Sequence, residues 1–279
     1  MSTKSTIAVV PTYNAEHLIS KRVKELLQSS FQMIVICDDQ SSDGTPEVAS
    51  AQTDERVAHV LGDRNVGPGG NRNRVLQIRE DVDCDYLLFV DSDCRVIYEG
   101  DLADVVEESL EDPELGVVGF GILDRDGSPM KWNYGSLMHP VHEAADQKLE
   151  LLMNQKLIAK EQFIIGARSR AESYRMVAEK QPKEVGWVAE GCFAIRASLF
   201  KKLGGFDEAM RFHEAHDLSA RLRDLGYKTV FNPIDLVQHL EHDSRMSRRS
   251  EDEIAAKLHY FKKHWGMSQT VFRHLFDLE

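Results

Sequence analysis

Short apolar runs alternate with amphipathic segments along roughly the first 120 residues of the chain. Runs of β-branched and aromatic residues predict strands, and apolar residues spaced three or four apart predict helices. The predicted strands cover residues 7–10, 33–37, 57–61, 86–90 and 115–122. The helices predicted between them begin with Asn14 as a cap, at Thr45, at Gly70 and at residue 102. Because strands and helices alternate, the predicted fold class is α/β, with a mostly parallel Rossmann-type sheet flanked by helices.

The second half of the chain has a less regular pattern. Residues 124–185 are rich in charged and amide side chains, and the helical spacing of their leucines predicts a helical insertion. Strand character returns at 188–196 and 227–231, with a helix predicted between them at 214–225. In the tail, the Ser-Glu-Asp-Glu run at 250–253 is a capping box, which predicts the start of a last helix.

The charge and the apolar content narrow the function classes. The chain carries 46 acidic and 34 basic residues, a formal net charge of −12. This excess of acidic residues argues against a general nucleic-acid-binding protein. If the protein binds a diphosphate, a cation must bridge the acidic side chains and the negatively charged phosphates. The sequence has no apolar run of about 18 residues, and its four cysteines lack metal-ligand spacing. We therefore expect a cytoplasmic protein with reduced thiols, and leave open peripheral contact at the inner face of a membrane.

Polar residues follow four of the predicted strands directly. These segments are Thr12-Tyr13-Asn14, Asp38-Asp39, Asn65 to Gly70, and Asp91-Ser92-Asp93. In open parallel sheets, ligands bind beyond the carboxyl ends of the strands. The sequence therefore predicts that these four segments meet at one edge of the sheet and form a binding site there.

The residue types in these segments suit a nucleotide bound with a metal ion. Asp91 and Asp93 are alternate residues at a strand end, and their carboxylates are ligands that Mg²⁺ and Mn²⁺ accept. Asp38 can accept a hydrogen bond from a base edge, and Tyr13 offers an aromatic face. Arg72, at the start of a helix, suits phosphate or ribose oxygens. Each residue also has a structural interpretation without a ligand. The aspartates could simply terminate a strand, the tyrosine could pack in the core, and the arginine could lie exposed to solvent.

In order and spacing, these motifs resemble the family 2 glycosyltransferases of the GT-A fold. The motifs of the first half are Val9 to Asn14, Asp38-Asp39 with Asp43-Gly44-Thr45, Asn65…Gly67…Arg72-Asn73, and Asp91-Ser92-Asp93. Those of the second half are Gly191, Gly204 to Glu208, and Asp217 to Tyr227. The resemblance spans residues 7–125 and 186–240. It predicts one GT-A-like domain at 1–245, followed by a basic loop and helix at 246–279. The domain comprises a nucleotide-sugar-binding half (1–123), the insertion (124–185) and an acceptor and catalytic half (186–245).

The resemblance implies an inverting, metal-assisted transfer of a sugar from a nucleotide-diphosphate donor, often a UDP-sugar, to a hydroxyl group of a glycan, a lipid-linked or another acceptor. By position, the donor would contact Pro11, Tyr13, Asn14, Asp38, Asn65, Arg72, Asp91 and Ser92. The Mn²⁺ or Mg²⁺ ion would be held by Asp93, Asp91 and His239, with His242 behind. We place the acceptor side at Trp187, Glu190 and Gly191. The sequence leaves the oligomeric state, the donor sugar and the acceptor open.

One position departs from the family's pattern. The family places an aspartate, commonly the catalytic base, where this chain has Ala215. A base on the acceptor hydroxyl is worth about 10²–10⁴-fold in rate. Glu214 is the nearest carboxylate in the sequence and the predicted replacement, and Asp217 is predicted to act with it or to orient the helix. His213 and His216 are titratable alternatives.

Two other functions stay open at this stage. A nucleotide-sugar-binding protein with weak or no transferase activity would explain Ala215. A nucleotidyltransferase can share a similar sheet, but it favours a glycine-rich basic loop after the first strand, which residues 11–14 lack. The basic run of Arg245, Arg248 and Arg249 could close over a diphosphate or touch anionic lipid, and it could equally be a solvated surface.

Overall fold

A computed structural model describes residues 5–78, 83–130, 132–154, 181–240 and 249–277. The strands are β1 (Thr6–Thr12), β2 (Met33–Asp38), β3 (Val57–Leu61), β4 (Tyr86–Val90), β5 (Cys94–Val96), β6 (Leu115–Leu123), β7 (Tyr134–Gly135), β8 (Lys183–Val185), β9 (Trp187–Val188), β10 (Cys192–Arg196) and β11 (Lys228–His239). The helices are α1 (Glu16–Leu26), α2 (Thr45–Ser50), α3 (Gly67–Asn73), α4 (Leu102–Ser109), α5 (Pro140–Asn154), α6 (Ala197–Leu203), α7 (Glu214–Asp224), α8 (Arg249–Trp265) and α9 (Gln269–Leu275).

The predicted α/β fold with a mostly parallel sheet is confirmed. The main sheet has the order β3-β2-β1-β4-β10-β6-β11-β5, and β8 also pairs with β11. Strands β1 to β4, β6 and β11 run in one direction, and β10, inserted between β4 and β6, is antiparallel to both. Because β10 is antiparallel, its first residues lie beside the carboxyl end of β4. This arrangement brings the second half of the chain to the predicted binding edge.

Helices cover both faces of the sheet. Along β1, Ala8 and Val10 pack with α1, α2 and α4, while Ile7 and Val9 pack with α6 and α7 on the other face. This alternation follows from the two-residue period of a strand, and a strand buried on both faces is apolar throughout. A third apolar cluster joins α5, α8 and α9 around Phe261.

Several predicted elements differ from the structure. The predicted strand at 188–196 is two strands, β9 and β10, separated by Ala189 to Gly191. The strand predicted at 227–231 continues as β11 to His239, with irregular register after Asn232. The helix predicted from Gly70 begins three residues earlier and ends in a 3₁₀ turn at 74–77. Helices α6 and α9 were not predicted, because both are short and adjoin other elements closely.

The structure describes the predicted insertion and tail only in part. Within 124–185, α5 is helical as predicted, but β7 and β8 are strands, and residues 155–180 lie outside the described residues. Helix α8 begins at Arg249, so Ser250 lies inside its first turn and not at the predicted cap. His242, Arg245 and Arg248 lie outside the described residues. Among the helices that the structure describes, none is long and apolar enough to cross a membrane. The four cysteines are free thiols, as predicted.

Candidate active site

The polar segments that follow β1 and β2 are joined by hydrogen bonds. The Asn14 backbone N–H donates to Ser41 Oγ at 2.8 Å, and the Asn14 side-chain oxygen accepts from the Ser42 N–H at 2.8 Å. Asn14 has a φ of 51°, a left-handed conformation that asparagine tolerates better than most residues. The predicted helix cap at Asn14 is wrong, because Ala15 is the N-cap of α1. Asn14 instead joins two of the four strand ends.

The two aspartates after β2 have different roles. The two carboxylate oxygens of Asp39 accept from the Val66 and Gly67 N–H groups, each at 2.9 Å, so Asp39 holds the glycine-rich loop. One oxygen of Asp38 accepts from the Ser41 N–H at 2.7 Å. The other, Oδ2, has no hydrogen-bond partner among the residues that the structure describes. Of the two aspartates, Asp38 therefore retains a buried acceptor atom for a ligand.

Four other residues that were predicted to bind the nucleotide-sugar donor lie along the same edge of the sheet. Pro11 is buried inside β1, which runs through it. Tyr13 is 52% exposed, so its ring lies at the surface and not in the core. Asn65 is exposed, with its side-chain amide 3.4 Å from the backbone carbonyl of Asp39. Ser92 is half-buried, and its carbonyl accepts from an α1 arginine at 3.3 Å.

Arg72 lies at the centre of the site. Helix α3 is positioned by the Asn71 side chain, which donates to the carbonyls of Thr12 (3.2 Å) and Cys37 (2.9 Å). The neighbouring guanidinium of Arg72 is buried and donates to Asp91 Oδ1 at 2.6 Å and to Glu190 Oε2 at 3.3 Å. The structure therefore excludes the interpretation of Arg72 as a solvated arginine.

The charges around Arg72 act on one another. Burial acts to lower the pKa of Arg72, but the carboxylates of Asp91, Glu190 and Glu214 outweigh it and raise that pKa above its ordinary value. Enclosure raises the pKa of Asp91 to about 6, although the Arg72 charge acts in the opposite direction. A cation and at least two nearby acidic groups thus occupy one small volume, which is common at functional sites.

Asp93 and His239 form a candidate metal site. The carboxylate of Asp93 lies 3.3 Å from His239 Nε2, and one ligand atom from each of Asp93, Cys94 and His239 lies within 4.8 Å of the others. Strand pairing explains the contact, because His239 of β11 is opposite Cys94 of β5. A hydrogen bond with Asp93 raises the pKa of His239, against the effect of burial.

The donor atoms suit a hard or borderline cation. Mn²⁺ accepts both carboxylate oxygen and imidazole nitrogen as ligands. Mg²⁺ prefers carboxylate oxygen to imidazole nitrogen. Burial raises the pKa of the Cys94 thiol well above its usual range, so Cys94 is protonated at neutral pH and a poor ligand. Asp91, also predicted as a ligand, is paired with Arg72 and is not part of the Asp93, Cys94 and His239 group.

The predicted acceptor residues lie at the break between β9 and β10. The carbonyl of Gly191 accepts from the Asp91 N–H at 3.1 Å, and a side chain at Gly191 would crowd Ile122 at 3.1 Å. The ring of Trp187 lies 4.6 Å from that of His216, at 33°. Glu190 Oε1 accepts from the Ala215 N–H at 2.7 Å, so this break contacts the start of α7.

The two carboxylates predicted as catalytic lie deeper in the protein. Glu214 is 3% exposed and packs against Gly69, where an added side chain would lie 3.1 Å from Glu214 Cγ. Asp217 is completely buried and accepts from Arg221 (2.7 Å) and from His264 of α8 (2.8 Å). Burial acts to raise the pKa of Asp217, but the His264 hydrogen bond and the Arg221 charge bring it below its ordinary value.

The histidines predicted as alternative bases surround the same helix start. His213 Nε2 lies 3.8 Å from Glu253 Oε1 of α8. His216 is half-buried, and desolvation lowers its pKa well below the ordinary value, so it is neutral at physiological pH. Asn73, which we assigned no role, joins the two halves of the chain: its side chain donates to the Phe206 carbonyl (2.9 Å) and accepts from the Phe206 N–H (2.7 Å). Its only signal in the sequence was its place beside Arg72.

Comparisons with known proteins agree with this architecture. A family model described as Glycosyl transferase family 2 matches residues 7–204. A GalNAc(5)-diNAcBac-PP-undecaprenol β-1,3-glucosyltransferase from Campylobacter jejuni is 24% identical over 261 residues, which cover 90% of this chain and 79% of the relative. An N-acetylglucosaminyl-diphospho-decaprenol L-rhamnosyltransferase from Mycobacterium tuberculosis is 26% identical over 76% of this chain and 67% of the relative.

One solved structure extends the agreement to the fold. It is a mannosyltransferase from Pyrobaculum calidifontis in complex with GDP-Man and Mn²⁺, with a TM-score of 0.59. The match covers 99% of this chain and 69% of that chain, at 17% sequence identity. At this identity the likeness shows the fold alone, and it confirms the predicted GT-A-like architecture.

Proposed function

The chain belongs to glycosyl transferase family 2. From that premise we propose that this glycosyltransferase moves a sugar from a nucleoside-diphosphate donor to a hydroxyl group of a lipid-linked glycan. A UDP-sugar is the first candidate for the donor. The observation that carries the proposal is Arg72, whose guanidinium contacts Asp91 at the end of β4 and Glu190 on the acceptor side. A buried cation between these two carboxylates links a donor site to an acceptor site in one cleft.

The donor would bind across the ends of β1, β2 and β4. The exposed ring of Tyr13 offers a stacking face for the base. Asp38 Oδ2, which has no hydrogen-bond partner among the described residues, would accept from the edge of the base once the side chains that cover it move aside. The cationic guanidinium of Arg72 favours the negative charge of the ribosyl diphosphate. Pro11, Asn14, Asn65 and Ser92 complete the same edge.

Asp93 and His239 would hold a Mn²⁺ or Mg²⁺ ion, with Asp91 next to them. When bound, the cation neutralises charge on the departing nucleoside diphosphate. The hydrogen bond between His239 and Asp93 keeps the two side chains together, and the pairing of β11 with β5 fixes their backbones. These two contacts support the proposal that Asp93 and His239 bind a cation together.

The acceptor would enter beside Trp187, Glu190 and Gly191. The two relatives described above are named for acceptors that are sugars on a polyprenol diphosphate. We extend that acceptor class to this protein, which would then work as a peripheral protein at the cytoplasmic face of the membrane. Trp187, whose half-buried ring is tilted by 33° to that of His216, offers an aromatic surface of the kind that packs against the apolar face of a sugar ring.

A transfer assay tests this function. The purified protein is incubated with UDP-, GDP- or dTDP-sugars and N-acetylglucosaminyl-diphospho-decaprenol, with Mn²⁺ or with EDTA. We expect product from one class of donor, no product with EDTA, recovery on adding Mn²⁺, and an anomeric configuration, read by NMR, opposite to that of the donor.

Each part of the proposal has its own contrary result. Product that forms equally well in EDTA would contradict the metal assignment. A retained anomeric configuration would contradict inversion. Metal-dependent binding of a nucleotide with no transfer to this acceptor or to its water-soluble analogues would indicate a nucleotide-sugar-binding protein, the alternative that Ala215 raises.

A further inference from the structure

The resemblance to the family implies a catalytic aspartate at the start of α7, where this chain has Ala215. In an inverting displacement, a base takes the proton of the acceptor hydroxyl as that oxygen attacks the sugar. Ala215 has no group that can accept a proton, yet three carboxylates lie around it: Glu190, Glu214 and Asp217. Their surroundings differ enough to choose between them.

Two of the three carboxylates are enclosed by protein. Asp217 is 0% exposed, and both of its oxygens are held by cationic side chains of α7 and α8. Glu214 is 3% exposed, packed between α3 and its own helix. An acceptor sugar would have to displace protein atoms to reach either one. The side chain of Glu190, by contrast, is 20% exposed.

Glu190 also contacts the residue that lacks the carboxylate. Its Oε1 accepts a hydrogen bond from the backbone N–H of Ala215 at 2.7 Å. A carboxylate carried by the loop between β9 and β10 is therefore held directly against the first turn of α7, where the family pattern has its aspartate.

We propose that Glu190 is the catalytic base of this protein and replaces the carboxylate absent at Ala215, an inference that rests on the function proposed above. Glu190 takes the proton from the acceptor hydroxyl as the hydroxyl oxygen forms a bond to the anomeric carbon. The bond from that carbon to the nucleoside diphosphate breaks, and its electron pair leaves with the diphosphate.

The contacts of Glu190 hold it in place and leave it able to react. Oε1 accepts from the Ala215 N–H, and Oε2 accepts from Arg72, which also donates to the Glu190 carbonyl at 3.3 Å. A carboxylate has about four acceptor positions, so two remain for an acceptor hydroxyl. Arg72 ties the carboxylate to Asp91, and thus to the donor side of the cleft.

The test compares Glu190→Gln with Glu214→Gln in the transfer assay. Glutamine keeps an oxygen for the Ala215 N–H, so the loop can hold its conformation, but it cannot take a proton. We expect Glu190→Gln to lower kcat by about 10²–10⁴-fold, with the KM for the donor and the thermal shift with UDP and Mn²⁺ within about twofold of wild type. Glu214→Gln should lose less activity than Glu190→Gln. Glu55→Gln, at an exposed position in a turn before β3, is the matched control and should be unchanged.

A second variant separates catalysis from structure. Adding Ala215→Asp to Glu190→Gln places a carboxylate back at the start of α7, where an acidic side chain suits the helix. We expect at least tenfold recovery of kcat over Glu190→Gln alone.

Three outcomes overturn the assignment. Unchanged kcat in Glu190→Gln would exclude it as the base. Loss of UDP binding together with activity, and no recovery with Ala215→Asp, would make Glu190 a structural residue. If the wild type transfers no sugar while it binds UDP with Mn²⁺, the proposed function fails and the catalytic role of Glu190 fails with it.

Discussion

The proposed donor side and the proposed acceptor side of the site are assembled in different ways. The donor side comprises the ends of β1, β2 and β4 with the start of α3, and its residues follow consecutive strands. The acceptor side comprises the break between β9 and β10 with the start of α7. Its key contact joins Glu190 to Ala215, 25 residues apart, and Arg72 reaches Glu190 from 118 residues away. Sheet topology thus places the first set of residues, and packing between distant segments places the second.

The difference shows where a site of this kind can change. A residue of the donor side, such as Asp38 or Asp93, lies directly at the end of a strand, so its position cannot change unless the strand moves. On the acceptor side, two loops approach the same point, so either backbone can supply a carboxylate there. Ala215 with Glu190 beside it fits such an exchange. The predictions below test whether the two sides respond separately, as this comparison requires.

The largest effect is expected from Asp93→Ala on the donor side. Removing the carboxylate beside His239 should abolish the dependence of UDP binding on Mn²⁺. It should also lower kcat/KM by about a thousandfold or more, because a bound cation stabilises the charge on the leaving diphosphate by several kcal/mol. Isothermal titration with UDP, with and without Mn²⁺, measures the binding. Asp104→Ala, at an exposed position of α4, is the control. Metal-dependent binding that survives in Asp93→Ala would place the cation elsewhere.

Arg72→Met should affect both sides at once. The change leaves the carboxylates of Asp91 and Glu190 close together without their buried cation, which should cost about 4 kcal/mol of unfolding free energy. It should also weaken both UDP binding and transfer. Urea denaturation and titration with UDP measure the two effects. Arg72→Lys, which keeps the charge and loses the planar fork, should lie between wild type and Arg72→Met. A variant that loses transfer alone would mean that Arg72 serves only the acceptor side.

Asp217→Asn should destabilise the acceptor side and leave UDP binding intact. Because Arg221 and Lys263 keep some exposure, we expect a loss of about 3 kcal/mol of unfolding free energy at pH 7, the low end for a broken buried pair. The pKa of Asp217 is below its ordinary value in the folded protein. Its contribution is therefore complete above about pH 4 and is lost as the pH falls further.

Urea denaturation between pH 3 and pH 6 measures that dependence. The wild type should lose stability on acidification more steeply than Asp217→Asn, so that the two converge at low pH. Parallel curves with a constant offset would show that the stabilisation by Asp217 does not depend on its charge.

The smallest effect is expected from Tyr13→Ala. The exposed ring contributes a stacking face worth about 1 kcal/mol, so the affinity for UDP with Mn²⁺ should fall about fivefold. Tyr13→Phe keeps the face and should bind as the wild type does. Both variants should retain the stability of the wild type, since the ring lies outside the core. If the alanine variant binds UDP normally, the base lies elsewhere on the donor side.

Much of the donor side could be predicted from the sequence, and less of the acceptor side. Strands β3 and β4 were predicted to the residue, since β4 is an uninterrupted apolar run, β3 is apolar except for His59, and polar turns border both. The sequence did not separate Asp38 from Asp39, because both follow the same strand and only their hydrogen bonds differ. It also missed the break at Ala189 to Gly191, since this stretch has no charge run or proline that would end a strand.

The sequence by itself determined the α/β architecture, the family resemblance and the edge at which polar residues gather. These follow from local apolar runs and from the rule that parallel strands end on one side. Only the tertiary structure decided that Asp39 and Asp217 have structural partners, that Arg72 links two carboxylates, and that Glu190 stands beside Ala215. Those contacts join segments as many as 118 residues apart, and the two that involve Glu190 depend on β10 entering the sheet antiparallel between β4 and β6. No local pattern encodes that insertion, because its stabilisation comes from neighbours that the chain meets only when it folds.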